Sequence, residues 1–289
     1  MQIQWYPGHM TKAMRSMKED IKLVDLCIEI LDARVPVSSE NPDIGELAKN
    51  KFRLVILNKA DLADPSVTDL WRKAFEKSNI RAVVMDARNN RAMNAVLTAV
   101  SEVCREKTER DKKRGLLERP VRAIVAGIPN VGKSTFINSL SGKAVAKTGN
   151  KPGVTKGNQW IRLNKKIELL DTPGVLWPKF EDERVGLHLG LIGSINDEVI
   201  EKTELAYEFI KMAHANGFLD KISSRYGLVS QDAEGFDPNA LVLSIALAKN
   251  CIKKGNEPDI EKASSMIIED YRNGRFGAIS LERPEEYGR

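Results

Sequence analysis

Gly127-Ile128-Pro129-Asn130-Val131-Gly132-Lys133-Ser134-Thr135 is the stretch of this 289-residue chain that decides its fold. It fits Gly-x4-Gly-Lys-Ser/Thr, a loop whose glycines let the backbone turn and approach an anion closely. Successive N–H groups, those of Val131, Gly132, Lys133, Ser134 and Thr135 among them, then point inward. The N-terminus of the following helix adds positive potential. Lys133 brings a full charge to terminal phosphates, and the Ser134 hydroxyl is a ligand for Mg2+. Upstream, Val121-Arg122-Ala123-Ile124-Val125-Ala126 is short and apolar and reads as a buried parallel strand. Downstream, Phe136 to Leu140 reads as the first turns of a helix. Strand, glycine-bounded loop and helix together are the context of a nucleotide-binding loop rather than of a chance glycine-rich turn.

The bulk properties narrow the class. The length suggests two domains, and the composition is that of an ordinary globular protein. A net charge of +5 permits a nucleic-acid partner without establishing one. Cys27, Cys104 and Cys251 are far apart and make no Cys-x-x-Cys pair, so reduced thiols used as small apolar residues are expected. The N-terminus lacks the apolar core of a signal peptide, and no apolar run is long enough to span a bilayer. A cytoplasmic protein with no membrane partner is therefore expected.

On the N-terminal side, Met14, Met17, Ile21 and Val24 recur at helical spacing. Leu23 to Leu31 reads as a strand, followed by a loop from Asp32-Ala33-Arg34-Val35-Pro36 to Asn41-Pro42 and a helix around Ile44 to Lys49. Phe52 to Leu57 is a second strand, and at its end stands Asn58-Lys59-Ala60-Asp61. This tetrapeptide resembles the guanine-reading motif of Ras-like GTPases. The Asp61 carboxylate can accept from N1–H and the exocyclic amine of guanine, whereas adenine would leave it unpaired. An ATPase is thereby disfavoured. Asn58 and Lys59 would position the base and brace the phosphate loop. A helix over Val67 to Ser78 is expected to bury Leu70, Trp71, Ala74 and Phe75, and Ile80 to Met85 to form a third strand. Asp86-Ala87 follows where such enzymes carry Ser-Ala; the Ala87 N–H would reach guanine O6, and Asp86 departs from the usual serine. Ala92 to Lys107 reads as a helix and Arg110 to Gly115 as a solvated connector.

On the C-terminal side, Lys147 to Lys156 is polar and Gly/Pro-rich, like a switch segment, with Thr155 as a candidate Mg2+ ligand. Gln159 to Leu163 and Lys166 to Leu170 read as a hairpin ending at Asp171-Thr172-Pro173-Gly174. Asp171 would hold Mg2+ through water, and the Gly174 N–H would sense a γ-phosphate. From about Val185 the pattern turns helical: Asn196 or Asp197 caps a helix burying Val199, Ile200, Leu205, Phe209 and Ile210. Asp237-Pro238 opens another through Lys253, and Pro258 a third that stops near Gly274.

The motif set is complete but rotated, because the base-reading residues precede the phosphate loop. A parallel doubly wound sheet permits this, since all strand C-termini face one crevice. In Trp5-Tyr6-Pro7-Gly8-His9-Met10, Asp32 to Pro36, Asn58 to Asp61, Gly127 to Thr135, Pro152 to Thr155 and Asp171 to Pro178, the chain resembles the circularly permuted GTPases, and within them the ribosome biogenesis GTPase A (YlqF) family. The resemblance implies an α/β fold: a doubly wound, mostly parallel GTPase domain over residues 1–184, then a small all-α domain over 185–289 that is a candidate for contacting rRNA. It implies GTP and GDP as ligands and the large ribosomal subunit precursor as partner, with hydrolysis serving as a late assembly checkpoint. A monomer is expected off the ribosome. Where Ras-type enzymes place a water-orienting glutamine, this chain has Val175; the resemblance points to His9 instead, helix capping or packing on RNA being the alternative. Asn130 resembles the asparagine that ligates K+ in potassium-activated members. Lys249, Lys253, Lys254, Lys262, Arg272 and Arg275 are candidates for rRNA phosphates, or else a solvated charged face. The competing functional class is an RNA-binding scaffold with structural GTP and little turnover.

Overall fold

The computed structural model describes residues 8–89, 92–116, 119–146, 159–228 and 236–289, with side chains at the N-terminus from Met10 onward. Six strands form one sheet: β1 (Leu26–Asp32), β2 (Phe52–Asn58), β3 (Arg81–Val84), β4 (Val121–Ala126), β5 (Gln159–Arg162) and β6 (Ile167–Asp171). Their spatial order is β3-β2-β1-β4-β6-β5, and every neighbouring pair is parallel except β5–β6. β1 is buried along its whole length, Glu29 and Asp32 included, as a strand in the middle of a covered parallel sheet must be. The register sets Asp32 beside Asn58 and Val125 beside Asp171. The C-terminal ends of β1, β2, β4 and β6 therefore share one rim, where open α/β sheets bind ligands.

The helices follow the apolar periodicity. α1 (Gly8–Asp20) and the 3-10 turn after it lay Met14, Met17 and Ile21 against Cys27, Ile124 and Leu170. Short helices α2 (Pro36–Ser39) and α3 (Pro42–Leu47) occupy the span read as a loop and the start of a helix. α4 (Pro65–Lys77) opens on Asp64, which accepts from the N–H groups of Ser66 and Val67, and buries Val67, Trp71, Ala74 and Phe75. Leu70, expected on that buried face, is instead 37% exposed. Leu23 is 55% exposed, and the first strand begins only at Leu26. α5 (Met93–Val103) is followed by α6 (Arg105–Lys113), which takes up most of the expected connector. Lacking an apolar stripe, α6 is held by ion pairs: Lys107 lies 2.8 Å from Asp111 one turn on and 3.5 Å from Asp25. α7 (Lys133–Ser141) follows the phosphate loop.

The described chain divides into two compact units. One runs to Glu181 and takes in Ser280–Arg289; the other is Asp182–Ile279. The last ten residues thus pack with the sheet rather than with the helices to which the sequence pattern assigns them. Glu282, fully buried, accepts from the N–H groups of Val37 (2.7 Å) and Ser38 (3.0 Å) and from the Ser38 hydroxyl. Its own carbonyl accepts from the Trp71 indole at 3.0 Å, and the Leu281 N–H donates to Arg34 O at 2.9 Å. These partners lie more than two hundred residues away, so no local pattern announces them.

The other unit contains α8 (Glu183–Leu191), α9 (Lys202–Ala215), α10 (Leu219–Tyr226), α11 (Pro238–Ala248) and α12 (Ile260–Arg272). Leu205, Phe209, Ile245, Ile267 and Tyr271 are buried in it, with the Phe209 and Tyr271 rings 4.8 Å apart. Val199, expected inside, is 44% exposed in a 3-10 turn capped by Asn196. α11 stops at Ala248, short of Lys253, because Asn250 takes a positive φ of 51° and the Cys251 N–H turns back to Ala246 O. α12 is capped by Asp259, which accepts from the Lys262 N–H, and so starts after Pro258.

Candidate nucleotide-binding site

β2 delivers Asn58, 2% exposed, to the rim. Its amide nitrogen donates to Val131 O in the phosphate loop at 2.7 Å, and its amide oxygen accepts from the Ala87 N–H at 2.8 Å. Ala87 O in turn accepts from the Ser139 hydroxyl of α7 at 2.6 Å. One side chain thus fastens the base-reading tetrapeptide, the loop after β3 and the phosphate loop together. The Ala87 N–H, expected to reach guanine O6, is engaged with Asn58 in this geometry. The glycines follow from the same closeness. Gly132 has φ 97°, and a Cβ there would run into the Asn58 amide; a Cβ on Gly127 (φ 147°) would lie 2.6 Å from Ile30 O.

Lys59 sits at φ 57° and directs its ammonium to Asp32, 3.0 Å away. Asp32 is fully buried and also receives two Arg34 guanidinium bonds, at 2.9 and 2.8 Å. Burial alone would raise the Asp32 pKa, but the Arg34 and Lys59 charges prevail and hold it well below the usual carboxylate range. Burial lowers the Lys59 pKa, with Asp32 opposing. In the sequence Asp32 and Arg34 serve only the family resemblance; their part in bracing Lys59 has no local signature. Ala60 is held through its N–H to Met85 O at 3.1 Å. Asp61, expected from the sequence to read the base, is partly exposed and bonded by the Arg88 guanidinium, whose Nε also reaches Asp86 at 3.0 Å. Arg88 thus gives one Asp61 oxygen a charged donor where a guanine edge would donate, and Asp86 holds Arg88 there.

At the phosphate end, Lys133 is 7% exposed and donates to Ile128 O at 2.8 Å. Burial pushes its pKa down to about 8, with the Asp171 carboxylate opposing. Asp171 is 3% exposed; burial raises its pKa against the pull of Lys133 and a backbone bond at Thr172. The Thr172 hydroxyl anchors the strand end to Val125 O at 2.8 Å. Gly174 lies against the phosphate loop so closely that a Cβ would stand 2.7 Å from Lys133 Nζ and 2.8 Å from Pro129. Asn130 takes φ 60° within the loop, and Ser134 and Thr135 open α7, half-buried. The Asp171 Oδ1 atom is buried with no hydrogen-bond partner among the described residues. A hard cation, or water bound to one, is what such a carboxylate oxygen accommodates. Val175 is fully buried in the apolar cluster that also holds Met14 and Met17 of α1, and its carbonyl accepts from Asn41 at 3.0 Å. It has no side chain with which to orient water. His9 belongs to the first turn of α1, but its side chain lies outside the described residues, as does Thr155 entirely.

Of the basic residues considered for rRNA, Arg272 is committed internally to Gly190 O, Leu191 O and Asp197, and Arg275 pairs with Asp270 at 2.6 Å.

Comparison with known proteins converges on one family. Ribosome biogenesis GTPase A of Bacillus licheniformis is 44% identical over 286 residues, spanning 99% of this chain and 100% of that protein. The chain belongs to the ribosome biogenesis GTPase A family. It is a GTPase. The GDP-bound structure of TM YlqF superposes with a TM-score of 0.68 at 27% identity, covering 94% of this chain and 100% of that one. YlqF from T. maritima bound to GNP gives 0.66 at 28% identity, covering 95% and 99%. A family model described as 50S ribosome-binding GTPase matches residues 122–237. That match starts inside β4 and leaves Asn58–Asp61 outside it, as the rotated motif order of this GTPase requires.

Proposed function

We propose that this GTPase binds the precursor of the large ribosomal subunit in the cytoplasm and hydrolyses GTP there as a late assembly checkpoint. The relatives' name and the matched family's description support the ribosomal partner. The observation that carries the nucleotide reading is the Asn58 amide, which holds the phosphate loop and the loop after β3 to the base-reading segment. Asp61 accepts from the guanine edge once Arg88 yields it, and Lys59, Ala60, Asp86 and Ala87 shape the surrounding pocket. Asn130 to Thr135 wrap the phosphates, Lys133 neutralises them, and the Gly174 N–H senses the terminal one. Ser134, Thr155 and Asp171 would hold Mg2+, which supplies charge neutralisation on the phosphates. Asn130 is the position for K+. Val175 being buried and apolar, the attacking water is oriented by His9, an imidazole being able to accept a hydrogen bond from it or donate one to it.

The test is multiple-turnover GTP hydrolysis by the full chain, with and without large-subunit precursors, beside GTP and GDP binding. Precursors should stimulate turnover. His9→Ala should abolish that turnover and leave both affinities within about threefold. Equal loss of binding and hydrolysis would remove the catalytic assignment, and tight GTP binding without turnover on the particle would favour the scaffold reading.

A further inference from the structure

Strand β5 is the last strand of the sheet among the described residues, and its exposed side chains have a composition that packing does not explain. Trp160 is 42% exposed, and the Arg122 guanidinium stands 5.2 Å from its ring centroid. Arg162, two residues on, lies opposite Glu168 of β6, which lies opposite Arg122 of β4 and bonds it at 3.2 Å. With the exposed Leu23 these residues line an open cleft of about 340 Å3. The turn joining β5 to β6 adds Lys165 and Lys166, both exposed. Two arginines thus share the cleft with one exposed indole and a carboxylate already paired to Arg122, and two lysines stand on the turn that follows β5.

Each feature points to the same kind of partner. An exposed tryptophan beside a cleft gives a flat π surface on which a nucleobase stacks. Arginines flanking it at strand spacing, and a lysine-tipped turn beyond, fit a phosphate backbone passing the stacked base. A protein interface of this size would bring apolar residues around the indole and fewer lysines. Arg122, Glu168 and Arg162 lie toward the end of the sheet away from the rim that carries Asn58 and Lys133, whereas Trp160 lies opposite Leu170, one residue short of Asp171. None of the residues lining the cleft is among those assigned to the nucleotide.

We propose that the β5 edge is a single-stranded RNA-binding surface, with Trp160 as the stacking platform and Arg122, Arg162, Lys165 and Lys166 on the phosphates. That this RNA is ribosomal rests on the function proposed above; the stacking surface does not. The test uses the full chain with GDP and a fluorescently labelled single-stranded RNA 12-mer of mixed sequence, read by anisotropy across a salt series. Trp160→Ala should weaken binding roughly 5- to 150-fold, the range for loss of one stacked base, and Trp160→Phe should restore most of it. Lys165→Glu with Lys166→Glu, at two exposed side chains, should flatten the slope of log affinity against log salt by about 0.7 for each phosphate no longer neutralised. Basal GTP hydrolysis and GDP affinity should be unchanged in all three variants. Wild type and Trp160→Ala binding RNA equally, no RNA binding by the wild type, or an unchanged salt slope in the double-lysine variant would each overturn the inference. Precursor-stimulated hydrolysis that persists alongside any of those results would leave the proposed function standing.

Discussion

Asn58 joins more of this site than any other described residue, and it does so with one amide. Removing that amide leaves Val131 O and the Ala87 N–H without a partner in a buried place, a loss of about 1–3 kcal/mol. Both groups belong to the empty scaffold as well as to the complex, so the loss bears on GTP and GDP alike. Asn58→Ala is expected to weaken both by roughly 5- to 150-fold and to leave their ratio unchanged. Calorimetric titration of the two nucleotides decides this; a change confined to GTP would place Asn58 in γ-phosphate sensing instead. At this scale the sequence announced residue types, and the structure brings the glycines, Lys133 and Asn58 to one rim. What it withheld were partners. Asn58 meets Val131 across 73 positions, and nothing near Asp32 or Arg88 announces that one braces Lys59 and the other caps Asp61.

Among the elements, the strap Ser280–Arg289 is the one that the sequence pattern misplaces. Its hydrophobic and charge pattern is too short to carry a period, and it follows five helices, so continuity assigns it to them. The structure gives its reason in Glu282, whose carboxylate satisfies the first N–H groups of α2 while its carbonyl takes the Trp71 indole. Arg289 extends the hold to Glu40 at 2.8 Å. Glu282→Ala strands the buried Ser38 N–H and the part-buried Val37 N–H, each worth about 1–3 kcal/mol. At about 2–4 °C per kcal/mol for a unit of this size, the melting temperature of the GTPase unit should fall by roughly 4–24 °C. Glu282→Gln, which keeps one acceptor oxygen, should lose less, and deletion of Ser280–Arg289 more. Circular dichroism melts of the full chain check the order; an unmoved midpoint in Glu282→Ala would mean that the strap is passive. The opposite error arises at α6, which reads as a connector because its composition is charged; ion pairs that include Asp25, 82 positions away, make it a helix.

For the molecule as a whole, the fold was legible because a parallel sheet is indifferent to chain order. Each motif was recognisable as a strand end, and all the strand ends that matter share a rim. The consequence that could not be read is the threading. Asp182–Ile279 leaves the GTPase unit after the Asp171–Gly174 loop and rejoins it at Ser280, so the helical unit is an insertion with a chain crossing at each end. Each unit has its own apolar core, Leu31, Val55, Leu57 and Trp71 in one and Leu205, Phe209, Ile267 and Tyr271 in the other. A ligand of the first should stabilise the first. At one hundred times its dissociation constant GDP contributes about 2.7 kcal/mol to whichever unit binds it. Scanning calorimetry of the full chain should therefore resolve two transitions, of which saturating GDP raises one and leaves the other within about a degree. Hydrogen exchange under the same conditions should slow in β2, β4 and α7 and stay constant in α9 and α12. A single transition that moves as a whole, with protection spreading into α12, would mean that the helical unit is energetically part of the nucleotide site, and that GTP hydrolysis can be felt there directly.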